Sequence, residues 1–102
     1  MRLSLINMIQ PDYLQLPKFQ LQGACAGIYF LYHDDELAYI GRGWNCLLRV
    51  AEHARKASTK IFTHWSFMPI ENSFEINSTE RQLINKYSPK FNKTYIKLIK
   101  LP

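Results

Sequence analysis

The sequence predicts one α+β domain in which a small, mainly antiparallel, three-stranded sheet is flanked by helices. Two β-branched and aromatic runs, at residues 27–33 and 37–41, are separated by a short polar stretch and indicate a hairpin. Two helix-favouring segments follow, each preceded by a capping residue. The resulting order, ββαβα, is typical of an α+β domain, and 102 residues can bury only one modest core.

The register of the hairpin decides where two tyrosines point. If Tyr29 lies opposite Tyr39, both phenols share one face and the loop has about three or five residues. A two-residue loop at Asp34-Asp35 would instead pair Tyr29 with Ile40 and place the phenols on opposite faces, because side chains alternate along a strand. We therefore expect the longer loop. The other face is expected to enter the core with Ile28, Phe30, Tyr32, Ala38 and Ile40.

The first helix and the third strand are bounded by residues that favour element ends. Asn45 is a suitable N-cap, which predicts a helix at residues 46–56 with apolar positions between helix-favouring charges. A loosely alternating, aromatic-rich run at 61–68 predicts a third strand, and Pro69 is expected to end it.

The second helix is expected to begin after Asn77 or Ser78, either of which can cap it. It should continue to about Tyr87, where Ser88-Pro89 stops it, because the residue before a proline disfavours helical backbone.

The chain is expected to have one folded core, at residues 27–94, with a short extension at each end. Residues 1–26 contain two breaking prolines and form a cover strand or an arm. Residues 95–102 form a basic C-terminal segment that contributes a short strand or a helical turn.

The charge of the chain favours an anionic partner. The formal net charge is +5 and the isoelectric point is about 9.4, which fits a nucleic acid but also fits an ordinary solvated surface. Most of the positive charge falls in two segments, at residues 42–60 and 86–100.

The two cysteines, Cys25 and Cys46, match neither a metal-binding spacing nor a disulfide framework. We expect both to be reduced packing residues of a soluble, cytoplasmic protein. The apolar stretch at residues 3–9 is too short and too polar for a signal peptide or a membrane span.

A set of residues in a recognisable order adds a functional hypothesis. Gly27-Ile28-Tyr29 precedes Tyr39-Ile40-Gly41, and an arginine, a histidine, a glutamate and an asparagine follow, namely Arg49, His53, Glu80 and Asn92. This pattern resembles the GIY-YIG nuclease family over residues 27–92. The resemblance implies an endonuclease that hydrolyses DNA and uses one Mg²⁺ or Mn²⁺ ion.

The resemblance also implies a role for each residue. Tyr29 would be the general base or a base relay, for which Arg42, Arg49 and the metal must lower its phenol pKa from about 10. Tyr39 would hydrogen-bond the scissile phosphate or the attacking water. Arg49 would stabilise the charged transition state, and His53, four residues later on the same helix face, would assist the base.

Glu80 is the expected metal ligand, since a carboxylate completed by water and phosphate oxygens suits Mg²⁺. The spacing of Asn77 and Glu80 also fits a capping box, so Glu80 could stabilise the start of its own helix. Asn92 follows Pro89-Lys90-Phe91 and is expected to hold the local backbone and orient the site.

Several basic and aromatic residues are candidates for contact with the substrate. The expected nucleic-acid-binding residues are Arg42, Arg55, Lys56, Lys90 and Lys93. Trp44 and Trp65 could stack on unpaired bases, which would favour single-stranded or branched DNA, or they could be core residues.

Two other functions remain open from the residues alone. The first is a non-catalytic nucleic-acid-binding module with the same fold, and the second is an interaction protein with a basic surface. Individually, Tyr29 could be a packing residue of a strand, and Arg49 could be a surface residue paired with Glu52. Specificity would have to come from the core, residues 1–26, an oligomer or a partner protein.

Overall fold

The structure, a computed structural model, describes residues 15–55 and 60–92. Its elements are β1 (Gly27–His33), β2 (Glu36–Gly43), α1 (Cys46–His53), β3 (His64–Pro69) and α2 (Ser73–Tyr87). β1 is the central strand, antiparallel to β2 on one side and to β3 on the other. The predicted fold class is therefore confirmed. The predictions for residues 1–14 and 95–102 lie outside the described residues.

The strands of the hairpin are connected by a two-residue turn, whereas the sequence predicts a loop of three or five residues. His33 pairs with Glu36, so only Asp34 and Asp35 connect the strands. Asp34 has a φ of 56°, in the left-handed region that aspartate tolerates better than most residues. The predicted longer loop is wrong.

A β-bulge nevertheless brings both tyrosines to one face. Leu31 pairs with Tyr39, but the register shifts at the next pair towards the turn, and Ala38 is left as the extra residue. The shift by one residue places Tyr29 opposite Gly41, not opposite Tyr39 as predicted. Because Leu31 and Tyr29 are two positions apart on β1, the side chains of Tyr29 and Tyr39 lie on the same side of the sheet.

Each face of the sheet is covered by a different helix. On the aliphatic face, α2 packs on the sheet through a cluster made of Ile28, Ile40, Ile76 and Ile84. On the aromatic face, α1 packs through a cluster made of Tyr29, Leu31, Cys46 and Val50. The predicted core face is the aliphatic one: Ile28, Ala38 and Ile40 are fully buried, Phe30 packs against the cluster, and Tyr32 is half-buried.

The first helix begins where the sequence predicts. The Asn45 side chain accepts a hydrogen bond of 3.0 Å from the backbone N–H of Leu48, which satisfies one of the free donors of the first turn. The helix ends at His53, earlier than expected. β3 is also shorter than predicted, beginning at His64, and it ends at Pro69 as expected.

The second helix begins earlier than predicted. Its N-cap is Asn72, whose side chain accepts from the backbone N–H groups of Phe74 and Glu75 at 2.8 and 3.2 Å. The first three side chains of the helix are exposed, and the residues that pack on the core begin only with Ile76. The prediction of a start after Asn77 or Ser78 is therefore wrong.

Backbone hydrogen bonds attach the segments before β1 and after α2 to this frame. The carbonyl groups of Cys25 and Gly23 accept from the N–H groups of Cys46 and Leu47 at 2.9 and 2.8 Å, so the arm caps the start of α1. After α2, the N–H of Phe91 donates to the carbonyl of Ala38 at 3.1 Å, on β2. In the described part of the chain no helix has the length and apolar character needed to cross a membrane.

Candidate active site

A cavity of about 440 Å³ lies beside β2, at the edge of the sheet. Its lining comes from both helices, so it extends around this edge from the aromatic face to the aliphatic face. Four of the six predicted catalytic residues line it: Tyr29, Tyr39, Arg49 and Glu80. The structure therefore brings together residues that are as much as 51 positions apart in sequence, from Tyr29 to Glu80.

Three rings meet on the aromatic face. Tyr29 Oη and His53 Nε2 are 2.8 Å apart and share a hydrogen bond. The Tyr39 ring centroid lies 6.2 Å from that of Tyr29 and 5.3 Å from that of His53. Tyr29 is only 1% exposed although it lines the cavity. The prediction that the two phenols lie on one side of the sheet, near His53, is confirmed.

Two glycines of β2 provide the space that these side chains occupy. Gly41 faces Tyr29 across the hairpin, and a Cβ there would overlap the phenol ring and its hydroxyl. A Cβ on Gly43 would lie 2.8 Å from Cγ of Arg49. Both positions require glycine because another group approaches the backbone closely.

Burial controls the proton affinity of the tyrosine and histidine pair. It raises the pKa of the Tyr29 phenol well above its ordinary value; Tyr39 adds to this rise, and Arg49 only partly opposes it. The sequence predicted that positive neighbours lower this pKa. That prediction is wrong for the charged side chains of the protein itself, because the Tyr29 pKa remains above its ordinary value. Burial also lowers the pKa of His53, and Lys60 and Arg49 act in the same direction. A neutral imidazole thus faces a neutral phenol.

Arg49 stands beside the Tyr29 phenol, one turn before His53 on α1. Its Nη1 forms an ion pair with Oε1 of Glu52, the surface pairing that the sequence left open. Both side chains of the pair are about half exposed. A guanidinium has five N–H donors, so one Nη1 contact leaves others to bind a phosphate.

Glu80 approaches the cavity from α2, on the aliphatic side of the sheet. Because Asn72 caps this helix, Glu80 lies beyond the first turn and cannot complete a capping box with Asn77. The alternative interpretation of Glu80 as a capping residue is therefore wrong. The Glu80 side chain is 20% exposed, and its Oε1 accepts a hydrogen bond of 3.0 Å from Nε of Arg42.

The surroundings of Glu80 fit a divalent cation. Burial raises the pKa of its carboxyl group, and Arg42 opposes this effect without cancelling it, so a second cation would stabilise the carboxylate further. Among the described residues, no group of three or more histidine, cysteine, aspartate and glutamate side chains could hold a metal ion. An ion here would therefore use one carboxylate, with water and phosphate oxygens as further ligands, which suits Mg²⁺.

Asn92 lies outside the cavity lining and holds β2 in place. It is 2% exposed, and its side chain makes two hydrogen bonds to the backbone of Ile40: Oδ1 accepts from the N–H at 2.9 Å, and Nδ2 donates to the carbonyl at 3.0 Å. These bonds occupy the outer edge of β2 between Tyr39 and Gly41. Such a position fits a supporting role.

The predicted nucleic-acid-binding residues are dispersed. Arg42 lines the cavity, whereas Arg55 and Lys90 are exposed outside its lining. Lys56 and Lys93 lie outside the described residues.

Sequence reasoning missed one side chain near the tyrosines and left another undecided. The Lys60 Nζ lies 4.9 Å from the centroid of the Tyr39 ring, and its charge also lowers the pKa of His53. In the sequence, only the place of Lys60 in a basic segment indicated a role at the site. Trp44 lines the cavity and is 72% exposed. Trp65, by contrast, packs against the aromatic cluster.

Comparison with curated proteins gives a partial match. The chain is 34% identical over 70 residues to UvrABC system protein C of Mycoplasma capricolum subsp. capricolum. The match covers 62% of this chain but only 12% of the length of that protein. No protein-family model matches the chain.

Solved structures give a fuller match. One is a point mutant of the GIY-YIG N-terminal endonuclease domain of UvrC from Thermotoga maritima, bound to its catalytic divalent cation; it has a TM-score of 0.61 at 23% identity and covers 71% of this chain and 87% of that chain. The magnesium-bound form of that domain has a TM-score of 0.59 at 22% identity, over 83% of this chain and 96% of that chain.

These structural matches agree with the sheet and helices described above. The two glycine-containing motifs occupy adjacent strands of one hairpin, as the strand pattern of the sequence predicts. The chain therefore has the fold of the GIY-YIG N-terminal endonuclease domain of UvrC.

Proposed function

We propose that this domain is a metal-dependent endonuclease that hydrolyses DNA phosphodiester bonds. The observation that carries the proposal is the 2.8 Å hydrogen bond between Tyr29 Oη and His53 Nε2, beside a cavity that also holds Arg49 and Glu80. Phosphodiester hydrolysis needs a route for the proton of the attacking water and positive charge opposite the charge that develops on the phosphate. The residues of this cavity are suited to both tasks.

Tyr29 acts as a proton relay in this mechanism. Its raised pKa keeps the phenol neutral, and the lowered pKa of His53 keeps the imidazole neutral and able to accept a proton through Nε2. As the water attacks phosphorus, its proton passes to the Tyr29 oxygen, and the Tyr29 proton passes to His53. No phenolate has to exist before the substrate binds, so the raised pKa of Tyr29 is compatible with catalysis.

Arg49 supplies positive charge to the phosphate as its negative charge increases. The guanidinium lies beside Tyr29 and keeps N–H donors in addition to the one that contacts Glu52. Tyr39 lines the same cavity and donates from its hydroxyl to a phosphate oxygen or to the water. Interactions of this kind stabilise the transition state more than the bound substrate.

Glu80 is the residue that would hold the divalent ion, Mg²⁺ or Mn²⁺. When bound, such an ion supplies a Lewis acid that polarises the phosphate and stabilises the leaving oxygen. Arg42 balances the Glu80 charge through a hydrogen bond of 3.0 Å. The Arg42 side chain is 54% exposed. The exposed part of that guanidinium is available to contact a phosphate next to the scissile one.

The substrate we propose is DNA, with single-stranded and branched forms as the candidates. Arg55, Lys56, Lys90 and Lys93 would follow the phosphate backbone on either side of the cavity. The folded core at residues 27–94 would carry the activity, and an oligomer or a partner protein would add specificity. Both cysteines are free, which is usual for the cytoplasmic location we propose.

The test is a cleavage assay with purified protein and labelled single-stranded, duplex and branched oligonucleotides. We expect internal cuts with Mg²⁺ or Mn²⁺, none with chelator, and none with Arg49→Ala protein that retains the wild-type melting temperature. Protein that cuts none of these substrates in either metal would overturn the proposal.

A non-catalytic nucleic-acid-binding module is the second candidate. The ion pairs Arg42–Glu80 and Arg49–Glu52 favour it, because both neutralise groups that the nuclease mechanism uses. The same assay separates the two functions, since a binding module retains the oligonucleotide in Mg²⁺ without cutting it.

A further inference from the structure

We propose that Trp44 is a stacking platform for an unpaired nucleobase adjacent to the scissile phosphate. This site makes the domain selective for single-stranded DNA and for nucleotides displaced from a duplex. The inference rests on the proposed nuclease function and names the form of DNA that the cavity accepts.

The two tryptophans of the chain have different environments. Trp65 is half-buried and stacks on Phe67, with ring centroids 5.4 Å apart and planes inclined by 28°. Trp44 is 72% exposed. Burying an indole ring is among the largest apolar contributions that one side chain makes to stability, and Trp44 does not make it. Packing therefore does not explain a tryptophan at position 44.

The usual helix-end role of an apolar residue is not available to Trp44 either. A residue just before the N-cap often packs against an apolar side chain at the fourth helical position, which fixes the entry of the chain into the helix. Asn45 is the N-cap, so Trp44 has the first position of such a pair, but the fourth helical residue of α1 is Arg49. The ring instead remains exposed in the cavity lining.

The backbone on both sides of Trp44 is constrained, so the ring is presented from a defined place. Gly43 accommodates the Arg49 side chain, and Asn45 binds the N–H of Leu48 at 3.0 Å. Tyr39 and Arg49 line the same cavity. A phosphate bound by these two residues therefore lies in the cavity that Trp44 borders, and the base of the same or the next nucleotide is the nearest flat, apolar group of the substrate.

Stacking on an exposed indole requires an accessible base face. In duplex DNA both faces of each base are covered by neighbouring base pairs, whereas a single strand or a displaced nucleotide offers its face to a protein ring. Every base has such a face, so stacking selects for unpaired DNA without selecting for sequence.

The first experiment uses Trp44 as its own reporter. The chain has two tryptophans, so Trp65→Phe leaves Trp44 as the only one. This variant is titrated in chelator with a single-stranded oligonucleotide and with an oligonucleotide of the same length in which central nucleotides are abasic. We expect the intact strand to quench Trp44 fluorescence at saturation and the abasic strand to bind with little quenching. Equal quenching by both strands would overturn stacking.

The second experiment measures affinity. Trp44→Ala should weaken binding of single-stranded DNA by about 5- to 150-fold, the range of one base-stacking contact. Trp44→Phe should retain most of the affinity, and affinity for duplex and for abasic DNA should change by less than about twofold. Phe19→Ala is the matched control, because Phe19 is 88% exposed and lies outside the cavity lining.

The outcomes separate this inference from the nuclease proposal. If wild-type protein cleaves DNA and Trp44→Ala binds and cleaves single strands as well as wild type does, the stacking site is overturned and the nuclease stands. If Trp44→Ala lowers the affinity for intact and for abasic strands by the same factor, Trp44 supports the fold or the phosphate contacts, and stacking is again overturned. If wild-type protein neither binds nor cleaves any substrate, both proposals fail. Thermal melting of each variant shows whether it is folded, and the fluorescence titration needs no change at Trp44.

Discussion

The aliphatic and aromatic faces of the sheet are built from neighbouring residues of one strand but have different chemistry. Ile28 and Tyr29 are adjacent on β1 and are 0% and 1% exposed. The aliphatic face is covered by the 15 residues of α2 and contains only isoleucines in its buried cluster. The aromatic face is covered by the 8 residues of α1, and its buried cluster contains a phenol and a thiol. The imidazole of His53 is hydrogen-bonded to that phenol.

The difference shows how a small domain can separate stability from chemistry. Buried isoleucines stabilise a fold without polar groups that require partners. A buried phenol requires a hydrogen-bond partner, and α1 provides one for Tyr29 by placing His53 Nε2 2.8 Å from its hydroxyl. Glu80 belongs to α2, but it carries a titratable group and lines the same cavity as Tyr29. Mutations on the two faces should therefore have different consequences, and Glu80 should behave like a residue of the aromatic face.

The largest effect is expected from Glu80→Gln. A neutral amide is a poor ligand for a hard cation, so Mg²⁺-dependent cleavage should fall below detection. The melting temperature should change little, because the Arg42 side chain is 54% exposed and such an ion pair contributes at most about 1 kcal/mol. Glu75→Gln, in the exposed first turn of the same helix, should cleave normally. Cleavage by Glu80→Gln near the wild-type rate would place the metal elsewhere.

Tyr29→Phe should reduce single-turnover cleavage by about two orders of magnitude or more, the scale of a lost proton-transfer group. Binding of DNA should persist, and stability should fall by only about 1 kcal/mol for the lost hydrogen bond. Tyr32→Phe is the matched control, because Tyr32 lies on the same strand with its hydroxyl 3.1 Å from Ser66 Oγ, on the other face. Parallel losses of binding and cleavage in Tyr29→Phe would mean that the phenol only holds the substrate.

Ile84→Ala tests the aliphatic face. Truncating this buried residue should lower the free energy of unfolding by about 2–5 kcal/mol, as measured by urea denaturation. Cleavage per folded molecule should stay close to wild type at low temperature. Ile61→Ala removes an isoleucine that is 66% exposed and should change stability by less than about 0.5 kcal/mol. A selective loss of activity in Ile84→Ala would show that the faces are not separable.

The pH dependence of cleavage should reflect the aromatic face. Protonated His53 cannot accept the Tyr29 proton, and the pKa of His53 is lowered, so the rate should remain constant as pH falls to about 6.5 and decline below that value. The raised pKa of Glu80 contributes to the same decline, because a protonated carboxyl group binds metal poorly. The measurement is a single-turnover profile at saturating metal. A decline that begins above neutral pH would contradict a neutral His53.

The smallest effect is expected from the basic residues outside both clusters. In a plot of log affinity against log salt concentration, Lys90→Gln and Arg55→Gln should each reduce the magnitude of the slope by about 0.7–0.9, because each change removes one phosphate contact. Single-turnover cleavage of bound DNA should change little. An unchanged salt slope would exclude these residues from the path of the strand.

The site residues were predicted from the order of the motifs that resemble the GIY-YIG family, and local backbone geometry explains part of their spacing. The positions of Arg49 and His53, four apart on one helix, place them on one face whatever the rest of the fold does. The register of the hairpin could not be predicted in the same way, because the bulge at Ala38 has no residue type that marks it. The start of α2 was misplaced because its cap, Asn72, precedes a turn with exposed side chains.

By itself, the amino-acid sequence determined the order of the elements, the helix cap at Asn45 and the identity of the groups available for chemistry, because these depend on local backbone preference and on composition. Only the tertiary structure decided what surrounds each group. It brought Glu80 to Arg42, 38 residues away, and Asn92 to Ile40, 52 residues away. It also left Trp44 exposed at the cavity while it packed Trp65 on the core. Exposure and proton affinity depend on the packing of segments that are distant in sequence, so identical residues acquire different properties in one fold.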